Sequence, residues 1–185
     1  MGCESQKATI NVKINDTPSS PRIENIQFCQ FTSFPDVNVQ FEPGNNLRWY
    51  PSDTASVSYP SVPDFSTSTP GTYRYHVSQI DSKGCESPRK TFSITLSPTP
   101  SQLKLEDQII CQNTLTPTYK IPLDAGNEAI WYTNITDVSG SNIPPQIQTG
   151  NPGFVQYYIS QRTSFGCVSL KSSIKIIAYT SNCRK

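Results

Sequence analysis

Residues 70–85 read Pro-Gly-Thr-Tyr-Arg-Tyr-His-Val-Ser-Gln-Ile-Asp-Ser-Lys-Gly-Cys, and residues 152–167 read Pro-Gly-Phe-Val-Gln-Tyr-Tyr-Ile-Ser-Gln-Arg-Thr-Ser-Phe-Gly-Cys. The Pro-Gly, Ser-Gln and Gly-Cys pairs recur at a shift of 82 positions. The same shift carries Cys29-Gln30 onto Cys111-Gln112, Gly44-Asn45 onto Gly126-Asn127 and Trp49-Tyr50 onto Trp131-Tyr132. Identities at one offset with no gaps define a tandem repeat. Within each stretch apolar and polar residues alternate: Tyr73, Tyr75 and Val77 in one copy, Val155, Tyr157 and Ile159 in the other. A period of two with one apolar face is a half-buried β-strand.

Working outward, the next strand has the same signature. Phe92, Ile94 and Leu96 alternate with polar residues, and Ile174, Ile176 and Ala178 match them. Asp81-Ser82-Lys83-Gly84 turns the chain between the two strands, which predicts a hairpin. Val37, Val39 and Phe41 predict an earlier strand, matched by Tyr119, Ile121 and Leu123. A strand through Leu47 and Trp49 follows the Pro43-Gly44-Asn45-Asn46 turn, and short apolar pieces at 23–28 and 109–110 open each copy. About seven short strands around a central Trp describe an all-β, immunoglobulin-like sandwich. The expected layout is a last strand of a preceding repeat at 1–18, repeat 1 at 19–98 and repeat 2 at 99–185, joined by the stiff Pro98-Thr99-Pro100 linker.

A third, partial copy lies at the front. Gly2-Cys3-Glu4-Ser5 stands 82 positions before Gly84-Cys85-Glu86-Ser87, and Ile10, Val12 and Ile14 repeat the last-strand alternation. Met1 reads as the start of a fragment of a longer exported chain with more copies upstream. An unpaired strand attracts another edge, so residues 3–14 are expected to dock on the first sandwich or on a neighbouring molecule.

Composition agrees. Of 185 residues 35% are hydrophobic and 16% charged, with 16 Pro and 9 Gly, which excludes a helical bundle. A net charge of +1 makes no electrostatic case for nucleic acid, and no apolar run is long enough to insert in a membrane. Six cysteines beside one methionine suggest an oxidising compartment.

Few residues carry chemistry. The single histidine, His76, has Tyr158 as its repeat partner, so a surface strand position outweighs a general base. No Ser-His-Asp or Cys-His arrangement can be built without it, and no phosphate loop, zinc spacing or paired carboxylates recur. No enzymatic role, cofactor or metal is expected. Trp49 and Trp131 read as core, whereas Tyr50 and Tyr132 point to the opposite face and are the candidates for exposed ligand contact. Asp53-Thr54-Ala55 resembles an O-glycosylation signal, and Asn134-Ile135-Thr136 matches the N-glycosylation pattern.

The cysteines recur with the repeat. Cys29 and Cys85 lie 56 apart, as do Cys111 and Cys167, which favours one disulfide within each copy. In a standard sandwich these positions fall at opposite ends, however, and a bridge needs Cα atoms within about 7 Å. The alternative is Cys3–Cys29 with Cys85–Cys111. Cys183 has no repeat equivalent and is either free or joined to Cys3 or another chain.

The combination of Cys-Gln, Trp-Tyr, Pro-Gly-Thr-Tyr-x-Tyr-x-Val-Ser-Gln and Gly-Cys-Glu-Ser resembles the Ig-like repeats of Bacteroidetes surface proteins. Such repeats occur in large type IX-secreted adhesins, including SprB-type gliding-motility adhesins, and beside secreted glycan-degrading enzymes. Copy 2 departs from the pattern at Phe154-Val155-Gln156 and at Val168, where copy 1 has Glu86. The resemblance implies a cell-surface, cell-adhesion module on the outer-membrane exterior. Its partners would be neighbouring repeats and a surface polysaccharide or other cell-surface ligand. The alternative is a glycan-binding or spacer module of a secreted polysaccharide-degrading enzyme.

Overall fold

The computed structural model describes residues 2–62, 64, 66–114, 120–147 and 149–180. Among them every regular element is a strand. Copy 1 holds β1 (Arg22–Ile23), β2 (Ile26–Cys29), β3 (Val39–Gln40), β4 (Asn46–Tyr50), β5 (Gly71–Ile80) and β6 (Lys90–Ser97). Copy 2 holds β7 (Gln108–Cys111), β8 (Glu128–Tyr132), β9 (Gly153–Arg162) and β10 (Ser172–Tyr179). The main sheets run β2-β6-β5-β4 and β7-β10-β9-β8, the same order at the same repeat positions, and β1 pairs with β3. The fold is an all-β, immunoglobulin-like sandwich in tandem.

The β9–β10 hairpin predicted from alternation is in register with Ile174 opposite Tyr157 and Ile176 opposite Val155. Its turn is built by side-chain chemistry. In copy 1, Asp81 Oδ1 accepts from Lys83 N at 2.9 Å and Cys85 N at 2.8 Å. In copy 2, Thr163 Oγ1 accepts from Cys167 N at 3.1 Å. Gly84 and Gly166 close these turns at φ 86° and 89°, a conformation only glycine adopts without strain. The opening strand β7 runs parallel to β10, with Gln108 opposite Ile176 and Cys111 opposite Tyr179.

The chain divides into two compact units that do not follow the repeat boundaries. One comprises Met1–Ile26, Pro35–Phe65 and Thr72–Thr95, and the other Gln27–Phe34, Ser66–Gly71 and Leu96–Lys185. In the first, Trp49, Val77, Phe92 and Ile94 form the core, with the Trp49 and Phe92 rings edge to face at 5.8 Å. In the second, Trp131, Ile159 and Ile174 are packed by Leu103, Leu105, Ile121 and Leu123 from extended segments.

Three expectations are corrected here. The strand over 37–41 shrinks to Val39–Gln40. Its counterpart is no strand at Ile121 and Leu123, which pack by side chains alone, and Tyr119 lies outside the described residues. Residues 2–14 form no strand against the first sandwich, with Ile10, Val12 and Ile14 more than 80% exposed, so the docking expected within the chain is not made. Alternation marks a strand only when a partner supplies the ladder hydrogen bonds, and among the described residues of this chain none meets this one.

Candidate functional site

The most consequential site is a covalent one. Cys29 is bonded to Cys167 with Cα atoms 5.5 Å apart, 138 residues apart in sequence, inside the second compact unit. The expected bridges Cys29–Cys85 and Cys111–Cys167 do not form, because Cys29 and Cys167 are joined to each other. Cys3 and Cys85 carry no disulfide, which also removes the Cys3–Cys29 and Cys85–Cys111 scheme. Cys183 lies outside the described residues.

Strand direction explains the correction. Because β7 is parallel to β10, Cys111 sits beside Tyr179 at the C-terminal end of β10. Cys167 precedes the N-terminal end of the same strand. Seven strand steps separate those ends by roughly 23 Å, far beyond disulfide reach. Copy 1 has the same placement: Gln30 N donates to Ser97 O at 2.8 Å, as Gln112 N donates to Tyr179 O at 2.8 Å. Cys29 therefore stands where copy 1 ends. There the linker is pinned by Thr99 Oγ1, which donates to Gln30 O at 2.8 Å. The partner it meets is the turn cysteine of copy 2.

The tryptophans are core residues, each 4% exposed. Tyr50 and Tyr132 are not exposed contacts: they are 3% and 8% exposed. Alternation does put them on the face opposite the tryptophans, but a cation covers each ring. The Arg89 guanidinium lies 3.5 Å from the Tyr50 ring centre and the Lys171 ammonium 4.0 Å from that of Tyr132. Arg89 also donates to the Ser52, Asp53 and Ala55 carbonyls, and Lys171 to those of Ile135 and Asp137. Each cation thereby ties the loop after the Trp strand down over the tyrosine. Arg89 and Lys171 share one repeat register, which is the signal the sequence offers for them.

A second missed pair is Gln79 and Gln161, both essentially buried. Gln79 Oε1 accepts from Glu42 N and Asn45 Nδ2 at 2.9 Å, and its Nε2 donates to Ser19 O at 2.6 Å. Gln161 repeats this with Asp124 N, Asn127 Nδ2 and Ser101 O. One amide thus ties the entry of each copy to its Gly-Asn turn.

Elsewhere the chemistry is sparse. His76 is half-buried on β5, with Nδ1 3.0 Å from Thr91 Oγ1 and 3.8 Å from an Asp53 carboxylate oxygen. Among the described residues no group of three or more His, Cys, Asp or Glu could hold a metal ion. An open groove of about 760 Å³ in the first unit is lined by Arg22, Glu24, Asn25, Asn38, Gln40 and Lys90. It offers hydrogen-bonding groups and no aromatic platform.

These features define a class, an immunoglobulin-like repeat module. Residues 18–98 match the family described as Ig-like domain CHU_C associated. A search of curated proteins finds no match. Among solved structures, the fibronectin(III)-like modules of Clostridium thermocellum CbhA share 14% identity, covering 88% of this chain and 94% of that one at TM-score 0.40. SGBP-B of the Bacteroides ovatus mixed-linkage glucan utilization locus, solved in complex with a mixed-linkage heptasaccharide, shares 16% identity over 88% of this chain and 48% of its own, at TM-score 0.27. Drosophila N-cadherin EC1-4 shares 10% identity over 89% and 50%, at TM-score 0.29. The disulfide and the extracellular type of the matched family point to an extracellular setting.

Proposed function

We propose that the chain is a non-enzymatic repeat segment of a bacterial cell-surface adhesin, a stalk that carries a binding region away from the cell. The observation that carries this reading is the Cys29–Cys167 bond, which ties one copy of the repeat to the next. A module that only fills space between catalytic domains has no need of a covalent link across its internal boundary; a load-bearing stalk does. The capped tyrosines support a structural role, because the two rings expected to make exposed ligand contact are withdrawn from solvent. On this reading the protein sits on the exterior of the outer membrane and reaches it by type IX secretion.

The groove beside β1 and β3, with hydrogen-bonding side chains among apolar ones, favours the second reading, an accessory glycan-binding module of a secreted enzyme. The test combines the coding sequence on both sides of these residues with antibody labelling of intact producing cells. The adhesin reading expects further copies of the unit and labelled cells. A catalytic domain in the same polypeptide, few copies, and glycan-array binding abolished by Asn38→Ala and Gln40→Ala would overturn it.

A further inference from the structure

We infer that the Cys29–Cys167 bond is one rung of a periodic ladder, in which the first cysteine of every copy is bonded to the second cysteine of the next. This rests on the repeat reading of the chain and holds whether the parent is an adhesin or an enzyme. Each copy carries one cysteine at each end. The first, Cys29 or Cys111, closes the opening strand beside the C-terminal end of the last strand. The second, Cys85 or Cys167, sits in the hairpin turn before that strand begins.

The settings of equivalent cysteines agree closely. Thr32 Oγ1 donates to Cys29 O at 2.6 Å, and Thr114 Oγ1 to Cys111 O at 2.6 Å. The residue two beyond each adopts a left-handed backbone, Phe31 at φ 64° and Asn113 at φ 58°. The Gln30 amide donates to Ser68 O at 2.5 Å and the Gln112 amide to Gly150 O at 2.6 Å. On the other side, Asp81 and Thr163 build matching turns that hold Cys85 and Cys167. The exposed Phe31 in a left-handed conformation is the strongest sign of a fixed loop, since a bulky residue rarely enters that region unless its surroundings hold it there.

The observed separation of 138 is the within-copy spacing of 56 plus one repeat of 82. Shifting the bond by one repeat toward the N-terminus places Cys85 as acceptor of a bond from the copy before it. Cys3 stands in the register of Cys85 and Cys167, one copy earlier. Each rung forms from two thiols, which lose two protons and two electrons. A protein or small-molecule disulfide takes them up by thiol–disulfide exchange and leaves as two thiols. Successive rungs overlap in sequence, so every copy inside the array is held covalently at both ends.

The test is a three-copy chain made by inserting a second copy of residues 17–98 between Pro98 and Thr99. The leading copy carries Cys85→Ser, and the inserted copy carries Glu24→Asp as a mass tag on its Cys29 peptide. After oxidative folding and proteolysis without reduction, the untagged Cys29 peptide should be joined to the inserted Cys85 peptide, and the tagged one to the Cys167 peptide. A tagged Cys29 peptide joined to Cys85, or a leading Cys29 that remains a thiol, would overturn the ladder. Failure of these bonds leaves the adhesin reading to the flanking sequence and cell labelling, so the two can fail separately.

Discussion

Repeat 1 and repeat 2 share a backbone plan but fill one corner of it with opposite chemistry. In repeat 1, Glu86 accepts from Ser78 Oγ at 2.5 Å and from the Tyr50 hydroxyl, and pairs with Arg48 at 3.2 Å. In repeat 2 the same positions hold Val168, Ser160, Tyr132 and Ile130. With the carboxylate gone, Ser160 Oγ is buried without a hydrogen-bond partner among the described residues. Yet β8 and β9 pair in the same register as β4 and β5, with Trp131 opposite Ile159 as Trp49 is opposite Val77. The polar corner is therefore dispensable to the fold. What both copies keep is the buried Trp, the Gln at the entry, the cation over the tyrosine and the two end cysteines.

The largest expected effect is at a shared position. Trp49→Ala and Trp131→Ala should each cost about 3–5 kcal/mol, the range for deleting a buried aromatic. Hydrogen exchange of the β5 and β9 amides reads each copy separately. A large loss in one copy and none in the other would break the equivalence. Next come Gln79→Leu and Gln161→Leu, which strip three shared hydrogen bonds, and for Gln161 one more to Asp124 Oδ2 at 2.8 Å, and leave backbone groups unsatisfied. Each should cost about 2–3 kcal/mol by the same readout.

The divergent corner sharpens the comparison. Ser78→Ala removes a donor to Glu86 and should cost about 1–2 kcal/mol, whereas Ser160→Ala removes an orphaned hydroxyl and should be neutral or stabilising by up to about 1 kcal/mol. Denaturant unfolding of the two variants measures the sign directly. Equal losses would mean that Ser160 is satisfied in solution.

The smallest effect is in pH. Burial pushes the Glu86 carboxyl up, but hydrogen bonds from Ser78 and Tyr50 and the Arg48 charge together outweigh it and hold it below the usual glutamate range. A depressed folded-state value means stability that is present above the ordinary carboxylate range, near pH 4.3, and is lost as pH falls through the lower value. Repeat 1 should lose protection of β5 in that acid window, and Glu86→Gln should flatten the dependence. Repeat 2, with Val168 there, is the internal control at that position.

The sheet plan was legible because its signals are local: alternation on β5, β6, β9 and β10, glycine-closed turns and a repeated Trp. The tyrosines were misread because alternation gives a side chain's face, not what covers that face. Arg89 and Lys171 come from the stretch leading into the last strand, far along the chain. The cysteines show a deeper limit. In a periodic sequence a bond within a copy and a bond to the next copy differ by one whole repeat, so equal spacing cannot tell them apart. The sandwich plan already argues against the within-copy bond, and the parallel pairing of β7 with β10, which puts the two cysteines of one copy at opposite ends, decides it.

That decision can be checked on the chain as it stands. The intact, oxidised protein is digested with trypsin without reduction and the cysteine peptides are mapped by mass. The account predicts the peptide of residues 23–48 joined to that of residues 163–171, with the Cys85 peptide of residues 84–89 recovered outside any link to Cys29. A Cys29–Cys85 link together with a Cys111–Cys167 link would contradict it.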